Sequence, residues 1–316
     1  MNEPGNGLSG FGTVAVAGGT GFVGGAIAAE LARRGHRVVV LSHRRRMPAF
    51  LDTPELRGRV EVRHADVTRP DGLVEAVSGA DALVIALAFR NSPVEAPRRG
   101  QTFERVDANG TIALVGAVAH TSVGRVVYIS GAGAAADATR PWFRAKWHAE
   151  EAIRSSGIPY TIFRPTWIYG PGDNSLNRFV GFTRWLPFVP QIGSGKQQLA
   201  PVFIDDIAAL AADALETNAA KNETFEVGGP ETMSMDDVIR SALRATRRRR
   251  PILHAPVTLM KLATAPFIIL PSPPMRPSAI DFIVQAAAVD TAHLHEILPR
   301  PLHRLDEALP TYLSPR

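Results

Sequence analysis

Three glycines in a turn between two regular elements could bring backbone N–H groups against a phosphate. Gly18, Gly21 and Gly24 follow the apolar run at residues 13–17, which is typical of a buried parallel strand. Residues 26–34 then show the pattern of a helix. Such a strand-to-helix turn directs its N–H groups and the positive end of the helix dipole at an anion. We therefore predict a nucleotide site here, with a tight turn that binds nothing as the alternative.

The elements that must position this turn alternate along the chain. Apolar strands are predicted at residues 37–42, 60–63, 82–88, 126–130, 160–164 and 224–227, and helices at residues 69–78, 106–120, 143–155 and 201–216. Strands that alternate with helices indicate βαβ units. The predicted fold class is α/β, a doubly wound parallel sheet of the Rossmann kind with a smaller C-terminal α+β lobe.

The regular alternation stops near residue 170, which suggests a division into domains. Residues 1–12 are predicted as a flexible tail, residues 13–169 and 201–229 as a dinucleotide-binding Rossmann domain, and residues 170–200 and 230–316 as a smaller lobe for a substrate or partner. Open α/β sheets bind ligands outside the carboxyl ends of their strands. A small-molecule ligand is therefore expected in the cleft between the lobes.

Size and composition exclude several classes of protein. The 316 residues, 45% of them hydrophobic, can bury a sizeable core. The net charge is +5 and no nucleic-acid-binding motif accompanies it, so a nucleic-acid partner is rejected. Cysteine is absent, which excludes disulfides and thiolate metal sites, and no metal site is predicted. The polar N-terminus lacks the pattern of a signal peptide. The predicted location is cytoplasmic, with peripheral membrane association as the alternative.

The residues after the second strand distinguish between the two nicotinamide dinucleotides. An acidic residue here bonds the ribose 2′-hydroxyl of NAD, whereas a cation accommodates the 2′-phosphate of NADP. His43, Arg44 and Arg45 occupy this position, and Arg46 follows them. Arginine suits a phosphate because its planar guanidinium stays charged and donates two parallel hydrogen bonds. We predict NADP(H) as the cofactor, with a solvated basic loop as the alternative.

Further motifs carry a family resemblance. They are Gly18-x-x-Gly21-x-x-Gly24, His64-Ala65-Asp66-Val67, Val127-Tyr128-Ile129-Ser130, Lys146, Arg164-Pro165-x-x-Ile168-Tyr169-Gly170-Pro171, Pro201-Val202-x-x-x-Asp205-Asp206-Ile207-Ala208 and Phe225-x-Val227-Gly228-Gly229-Pro230. Over nearly the whole chain they resemble the extended and atypical short-chain dehydrogenases/reductases, which include the NAD-dependent epimerases and dehydratases. Residues 142–150 look most like the branch that contains the nucleotide-binding accessory subunit of respiratory complex I.

The residues expected at the cofactor follow the strands. Asp66 and Val67 would lie beside the adenine, and residues 86–89 would pass beneath the pyrophosphate and the nicotinamide ribose. The complete predicted set is Gly18, Thr20, Gly21, Phe22, Val23, Gly24, His43, Arg44, Arg45, Asp66, Val67, Ala86, Leu87, Ala88, Lys146 and Pro165.

The resemblance implies an acid/base chemistry that this sequence retains only in part. In active members a Tyr shortly before the Lys exchanges the proton, the Lys holds the nicotinamide ribose, and a Ser or Thr polarises the carbonyl. Here Lys146 is present, but Trp142 replaces the Tyr and Ala132 occupies the usual hydroxyl position. An indole donates a hydrogen bond and cannot act as a base. Lys146 and Ser130 are the remaining catalytic candidates.

Other polar residues near these positions receive structural interpretations. Tyr128 lies inside a strand and is predicted as core, and His148 is predicted at the surface. Tyr169 could line the pocket, although stacking against another ring is the preferred interpretation. Asp107 aligns with an Asn that members of the resembled family often carry at the start of the preceding helix.

Two functional classes stay open. The first is an NADP(H)-binding, redox-linked protein in which the nucleotide has a structural or regulatory role, and for it the resemblance implies association with a respiratory complex. The second is an NADPH-dependent oxidoreductase that acts on a hydrophobic carbonyl or quinone-like substrate with an unconventional proton donor. A nucleotide-sugar epimerase or dehydratase is a weaker third candidate. Whether the chain is an enzyme is left open, as is its oligomeric state.

Two segments near the C-terminus each allow more than one interpretation. Residues 247–250 are four arginines followed by a proline, either a solvated helix end or a site of attraction to anionic lipid. Residues 257–270 are mostly apolar but shorter than the roughly 20 residues that span a bilayer. This segment could lie on a membrane, cover a hydrophobic ligand or fill the core of the smaller lobe.

Overall fold

The computed structural model describes residues 12–43, 46–89, 92–173, 175–270 and 275–313. Residues 1–11 of the predicted tail lie outside this range, as do Arg44 and Arg45. The strands and helices are β1 (Thr13–Ala17), α1 (Phe22–Arg33), β2 (Arg37–Ser42), β3 (Val60–His64), α2 (Leu73–Val77), β4 (Ala82–Ile85), α3 (Asn109–Val118), β5 (Val126–Ile129), α4 (Pro141–Ser155), β6 (Tyr160–Pro165), β7 (Ile168–Tyr169), α5 (Leu176–Phe182), β8 (Val189–Ile192), β9 (Gln198–Leu199), β10 (Val202–Phe203), α6 (Ile204–Glu216), β11 (Glu223–Val227), β12 (Met233–Ser234), α7 (Met235–Ala245), β13 (Ile252–Ala255), α8 (Val257–Thr264), α9 (Pro277–Ile283), α10 (Ala292–Ile297) and α11 (Leu305–Tyr312). A π-helical segment at Phe103–Ala108 leads into α3, and a 3₁₀ segment at Ala265–Ile269 follows α8.

Seven parallel strands form the main sheet, in the order β11-β6-β5-β4-β1-β2-β3. This order confirms the predicted doubly wound α/β fold. The direction in which strands are added reverses between β1 and β4, which are neighbours in the sheet. Such a reversal opens a crevice at the carboxyl ends of the two strands, where open α/β sheets bind ligands.

The alternation of side chains in β1 builds both layers of the core. Val14 and Val16 pack into the cluster that contains α1 and α6, whereas Ala15 and Ala17 pack on the opposite face with α2, α3 and α4. Successive side chains of a strand point to opposite faces, so a strand covered on both sides must be apolar throughout. The run at residues 13–17 is therefore continuously apolar because helices cover both faces of the strand.

Three two-stranded sheets lie beside the main one. β8 pairs with β13 and β10 pairs with β7 in parallel, and β9 pairs with β12 in antiparallel fashion. β8 and β13 come from two separate stretches of chain that the sequence assigns to the smaller lobe. The boundaries between the predicted domains stay a prediction.

The apolar segment at residues 257–270 does not fill a core. Leu259 is 58% exposed, Leu262 is 72% exposed and Ile269 is 75% exposed. The interpretation as core of the smaller lobe is therefore wrong for these side chains. Across the described residues, no helix combines the length and the apolar character needed to cross a membrane.

A cluster of ion pairs joins α1 and α6 to the C-terminal part of the chain. Arg34 Nη1 donates to Asp213 Oδ1 at 2.8 Å, and Arg300 Nε donates to Asp213 Oδ2 at 2.6 Å. Burial would raise the pKa of Asp213, but the hydrogen bonds from Arg300 and Arg34 outweigh it and lower the pKa below its ordinary value. A lowered pKa in the folded state means that ionised Asp213 stabilises the fold.

Replacing Asp213 with Asn is expected to lower the free energy of unfolding at pH 7 by about 1–3 kcal/mol, because two half-buried guanidinium groups lose a charged acceptor. The contribution of a carboxyl with a lowered pKa is complete above its unfolded-state value, about 3.9, and is lost as the pH falls through the folded-state value. The difference between wild type and variant should therefore shrink in urea titrations below about pH 4. Asp71→Asn, at an exposed position, is the control. A difference in the free energy of unfolding that stays constant from pH 7 to strongly acidic conditions would contradict a stabilising role of ionised Asp213.

Candidate functional site

The turn between β1 and α1 depends on glycine at two points. Gly18 has a φ of +83°, and a Cβ atom on it would lie 2.2 Å from the carbonyl oxygen of Ala86. A Cβ atom on Gly24 would lie 2.4 Å from the carbonyl oxygen of Gly18. Gly21 caps α1 without any side-chain hydrogen bond. The first N–H groups of α1 consequently have no capping side chain from Gly21 and are suited to an anion.

Most of the predicted cofactor residues lie along one edge of the sheet, at or just beyond the carboxyl ends of parallel strands, and Lys146 reaches that edge from α4. The backbone N–H of Ala86 donates to the carbonyl oxygen of Ala17 at 2.9 Å, which places the end of β4 directly beside the glycine turn. The described members that follow a strand are Gly18, Thr20 and Gly21 after β1, His43 after β2, Asp66 and Val67 after β3, and Ala86, Leu87 and Ala88 after β4. Those inside an element are Phe22, Val23 and Gly24 in α1, Lys146 in α4 and Pro165 at the end of β6.

Asp66 is held in place by its own loop. Its Oδ1 accepts hydrogen bonds from the backbone N–H of Thr68 at 3.0 Å and from the Thr68 hydroxyl at 2.7 Å. Burial would raise the pKa of Asp66, but these hydrogen bonds outweigh it, so the pKa lies below its ordinary value. Asp66 is therefore an anion at neutral pH, with its carboxylate fixed beside the end of β3.

Gly110 is a contributor to this edge that the sequence analysis missed. A Cβ atom on it would lie 2.9 Å from Val67 Cγ2 and 3.3 Å from Leu87 Cδ1. Glycine therefore allows α3 to approach the two loops that follow β3 and β4. The only sequence signal was a glycine near the start of a predicted helix, a position where glycine is normally unfavourable.

Lys146 is engaged by an acidic side chain. Its Nζ lies 3.0 Å from Asp107 Oδ1 and donates to the carbonyl oxygen of Ile129 at 3.3 Å. Burial lowers the pKa of Lys146, but Tyr128 and Asp107 outweigh it and the pKa lies above its ordinary value. Burial also raises the pKa of Asp107, although Lys146 acts against that shift. Asp107 stands on the π-helical segment before α3, and such local widening of a helix re-aims its side chains.

Tyr128 is core, as predicted. It is fully buried, and burial raises its pKa to about 12. Its ring centroid lies 5.2 Å from Lys146 Nζ. A general base works best when its pKa lies near the operating pH, so Tyr128 is unsuited to act as a general base.

Ser130 is bonded to a buried carboxylate. Its hydroxyl donates to Glu150 Oε1 at 2.5 Å, and Glu150 is fully buried. Glu150 also accepts from Arg164 Nη2 at 2.6 Å and from Arg154 Nη2 at 2.7 Å. The sequence analysis missed this network. Its only traces were an arginine inside an otherwise apolar strand and a Glu–Arg pair one helical turn apart in α4.

Trp142 fills its position with apolar contacts. It is 5% exposed, and its ring centroid lies 5.2 Å from that of Phe282 and 6.2 Å from that of Phe103. Phe282 belongs to α9, so the C-terminal part of the chain covers this point of α4. Trp142 Nε1 is buried and has no hydrogen-bond partner among the described residues. The side chain that stands in place of the tyrosine is thus part of an aromatic cluster.

The remaining predictions for single residues agree with the structure. The His148 side chain is 47% exposed, and the Tyr169 ring is fully buried with its centroid 5.5 Å from that of Phe203. Within the described ranges, no group of three or more His, Asp or Glu side chains is placed to hold a metal ion. The glycine turn is suited to a phosphate, and the Ser130 hydroxyl and the Lys146 ammonium are engaged by Glu150 and Asp107.

Comparison with known proteins agrees with this geometry. The sequence model of the NAD(P)H-binding family matches residues 18–183. The chain is 30% identical over 256 residues to the mitochondrial NADH dehydrogenase (ubiquinone) 1 alpha subcomplex subunit 9 of Arabidopsis thaliana, in an alignment that covers 79% of this chain and 62% of that protein. It is 26% identical over 259 residues to a 2-alkyl-3-oxoalkanoate reductase of Stenotrophomonas maltophilia, covering 73% of this chain and 75% of the reductase.

Solved structures share the whole fold. The UDP-glucuronic acid 4-epimerase of Bacillus cereus, solved with NAD, superimposes with a TM-score of 0.74 over 95% of this chain and 98% of its own, at 20% identity. Identity at this level shows the fold alone. The family match covers more than half of the chain. The predicted Rossmann-type family is confirmed, and the match supports a nicotinamide cofactor: the chain belongs to the NAD(P)H-binding family of Rossmann-fold proteins.

Proposed function

We propose that the chain binds NADP(H) and that the bound nucleotide has a structural or regulatory role. The observation that carries this proposal is the engagement of both candidate catalytic side chains. Ser130 donates to the buried carboxylate of Glu150, and Lys146 pairs with Asp107. Trp142, in place of the tyrosine, has no titratable group. Proton transfer to a carbonyl needs a titratable group that is free to reach it, whereas the Ser130 hydroxyl and the Lys146 ammonium are both held by carboxylates.

The nucleotide would be held by residues along the carboxyl edge of the sheet. The turn from Gly18 to Gly24 would take the pyrophosphate, and Asp66 and Val67 would flank the adenine. The loop at residues 86–88 would pass beneath the nicotinamide ribose, with Lys146 and Pro165 beyond it. When bound, the nucleotide would supply a hydride in an active relative. Here it would contribute mainly binding free energy.

The preference for NADP(H) rests on the end of β2. His43 is exposed, and no acidic residue stands between it and Arg46. We expect the purified chain to bind NADPH at least about tenfold more tightly than NADH, because a 2′-phosphate accepts charge-assisted hydrogen bonds from arginine. Arg44→Glu should remove this preference in calorimetric titrations, whereas Arg57→Glu, at an exposed position elsewhere, should keep it. Equal affinities of wild type for the two nucleotides would overturn the NADP assignment.

Nucleotide binding itself has a thermodynamic signature, whatever the role of the nucleotide. A ligand that binds only the folded state stabilises it by about 2.7 kcal/mol at a hundred times its Kd. NADPH should therefore raise the melting temperature of the chain with no partner or substrate present. The similarity to a subunit of a mitochondrial NADH dehydrogenase supports a partner of the respiratory-complex kind, to which the nucleotide would report the redox state.

The second candidate is an NADPH-dependent oxidoreductase that acts on a hydrophobic carbonyl or quinone-like substrate. The similarity to a 2-alkyl-3-oxoalkanoate reductase favours it. Anaerobic incubation with NADPH and a panel of long-chain ketones, aldehydes and quinones separates the two candidates. The structural role predicts no loss of absorbance from NADPH. Turnover that disappears in Lys146→Ala but persists in Arg57→Glu would overturn it in favour of the reductase.

A further inference from the structure

Six residues, five of them exposed and Arg248 partly buried, form a basic and apolar surface on the turn after α5 and the chain around the start of β13. We call them the arginine surface: Arg184, Trp185, Arg248, Arg249, Arg250 and Leu253. Trp185 is 87% exposed and Leu253 is 50% exposed. Part of this surface is concave, a depression of about 490 Å³ lined by Arg240, Leu243, Arg244, Arg248, Arg249, Arg250 and Pro251.

Hydrogen bonds join the turn after α5 to the loop before β13, and these two segments carry the arginine surface. Arg248 Nη1 donates to the hydroxyl of Thr183, which lies in the turn that presents Trp185. The backbone N–H of Val189 donates to the carbonyl oxygen of Pro251 at 2.8 Å, where β8 begins to pair with β13. The turn after α5 and the arginine run are thus held side by side, and Trp185 follows by two residues the Thr183 that Arg248 contacts.

The charge on this surface is not neutralised by the chain itself. Arg240, on the rim of the depression, pairs with Asp237 at 2.9 Å. By contrast, no described carboxylate lies within 4.0 Å of the guanidinium nitrogens of Arg184, Arg248, Arg249 or Arg250. Four cationic side chains without an acidic partner, three of them lining the depression, produce a local positive potential that selects an anionic partner.

The apolar side chains decide which anionic partner fits. Tryptophan favours the interface between membrane and water, and arginine near an anionic leaflet is attracted to its phosphates. The segment that follows β13 also exposes aliphatic side chains, among them Leu259 and Leu262. Aliphatic groups gain by entering a bilayer. Single-stranded nucleic acid is instead bound through aromatic platforms on which successive bases stack, and this surface has a single ring.

We propose that the arginine surface docks on an anionic phospholipid membrane. Arg248, Arg249 and Arg250 contact the lipid phosphates, and Trp185 enters the interfacial layer beside them. The docking is peripheral, since it uses side chains of a turn and of a short strand. It is independent of the nucleotide site, so it holds whether or not NADPH is bound.

Cosedimentation with vesicles tests the proposal with the full chain. Binding to phosphatidylcholine vesicles that contain phosphatidylglycerol should exceed binding to phosphatidylcholine alone and should weaken with added salt. The double variant Arg249→Glu and Arg250→Glu should bind the anionic vesicles at least about tenfold more weakly. The control Arg37→Glu and Arg57→Glu carries the same change in charge at two exposed positions near the amino ends of β2 and β3, and it should bind as wild type does.

The wavelength of tryptophan fluorescence reports whether Trp185 enters the lipid interface, which attraction by charge alone does not require. Anionic vesicles should shift the emission of wild type to shorter wavelength, and Trp185→Phe should remove that shift while the other tryptophans report an intact fold. Equal loss of binding in both charge variants would mean attraction by net charge only and would overturn the proposal. Binding of soluble glycerol phosphate or of single-stranded RNA without vesicle binding would overturn it as well.

Discussion

Alanine at position 24 is expected to weaken NADPH binding at least about tenfold and to destabilise the fold by about 1–3 kcal/mol. The added Cβ atom would lie 2.4 Å from the carbonyl oxygen of Gly18 and 2.6 Å from its carbonyl carbon. Both atoms belong to backbone, so the turn itself must move. A turn displaced from the end of α1 no longer directs its N–H groups at a phosphate.

Gly116 supplies a matched control for this substitution. It lies in α3 at an exposed position, and a Cβ atom there meets no atom within 4 Å. Alanine at this position should raise stability by roughly 0.5–1 kcal/mol, since alanine favours a helix interior over glycine. Calorimetric titration with NADPH and urea unfolding of both variants make the comparison. Wild-type affinity in Gly24→Ala would mean that the pyrophosphate does not rest on this turn.

Removing the Glu150 carboxylate should strongly destabilise the fold. Glu150→Ala is expected to lower the free energy of unfolding by about 3–5 kcal/mol, because it leaves partly buried cationic groups without their anion. Arg164 donates to Glu150 through Nε at 2.9 Å and through Nη2 at 2.6 Å, and hydrogen bonding to Glu150 raises the pKa of Arg164. Ser130 would lose its acceptor at the same time.

Glu151 is the control for Glu150, because its replacement removes the same negative charge from α4 at an exposed position. Its side chain is 50% exposed and pairs with Arg154 at 2.9 Å. Glu151→Ala should change the free energy of unfolding by no more than about 1 kcal/mol, as exposed ion pairs do. Thermal and urea unfolding of the two variants, with Glu150→Gln as the variant that keeps the shape, measure the difference. Similar losses in Glu150→Ala and Glu151→Ala would show that the buried network does not stabilise the fold.

The strands and the glycine turn could be predicted because their causes are local. β1 and β2 are covered on both faces, so each reads as an unbroken apolar run, and Gly18 stands where the backbone turns sharply. The parallel, doubly wound sheet followed from the alternation of strands with helices. These features depend on the sequence of a single βα unit, and a single chain displays them.

The engagement of the candidate catalytic residues could not be predicted, because it depends on distant parts of the chain. Asp107 and Lys146 meet across the contact between α4 and the π-helical segment, and Ser130 meets Glu150 from the end of a different element. Likewise, the apolar segment at residues 257–270 looked like core. Its exposure was decided by how little of the chain packs over Leu262 and Ile269.

The pairing of β8 with β13 sets an order of events during synthesis. Strands β1 to β6 follow one another closely, so the centre of the sheet can assemble while the ribosome is still translating. β8 has no parallel partner until Ile252–Ala255 has emerged, some sixty residues later. A nascent chain would therefore present a finished glycine turn well before Arg248, Arg249 and Arg250 are brought beside Trp185. The two surfaces of this protein are separated in time as well as in space.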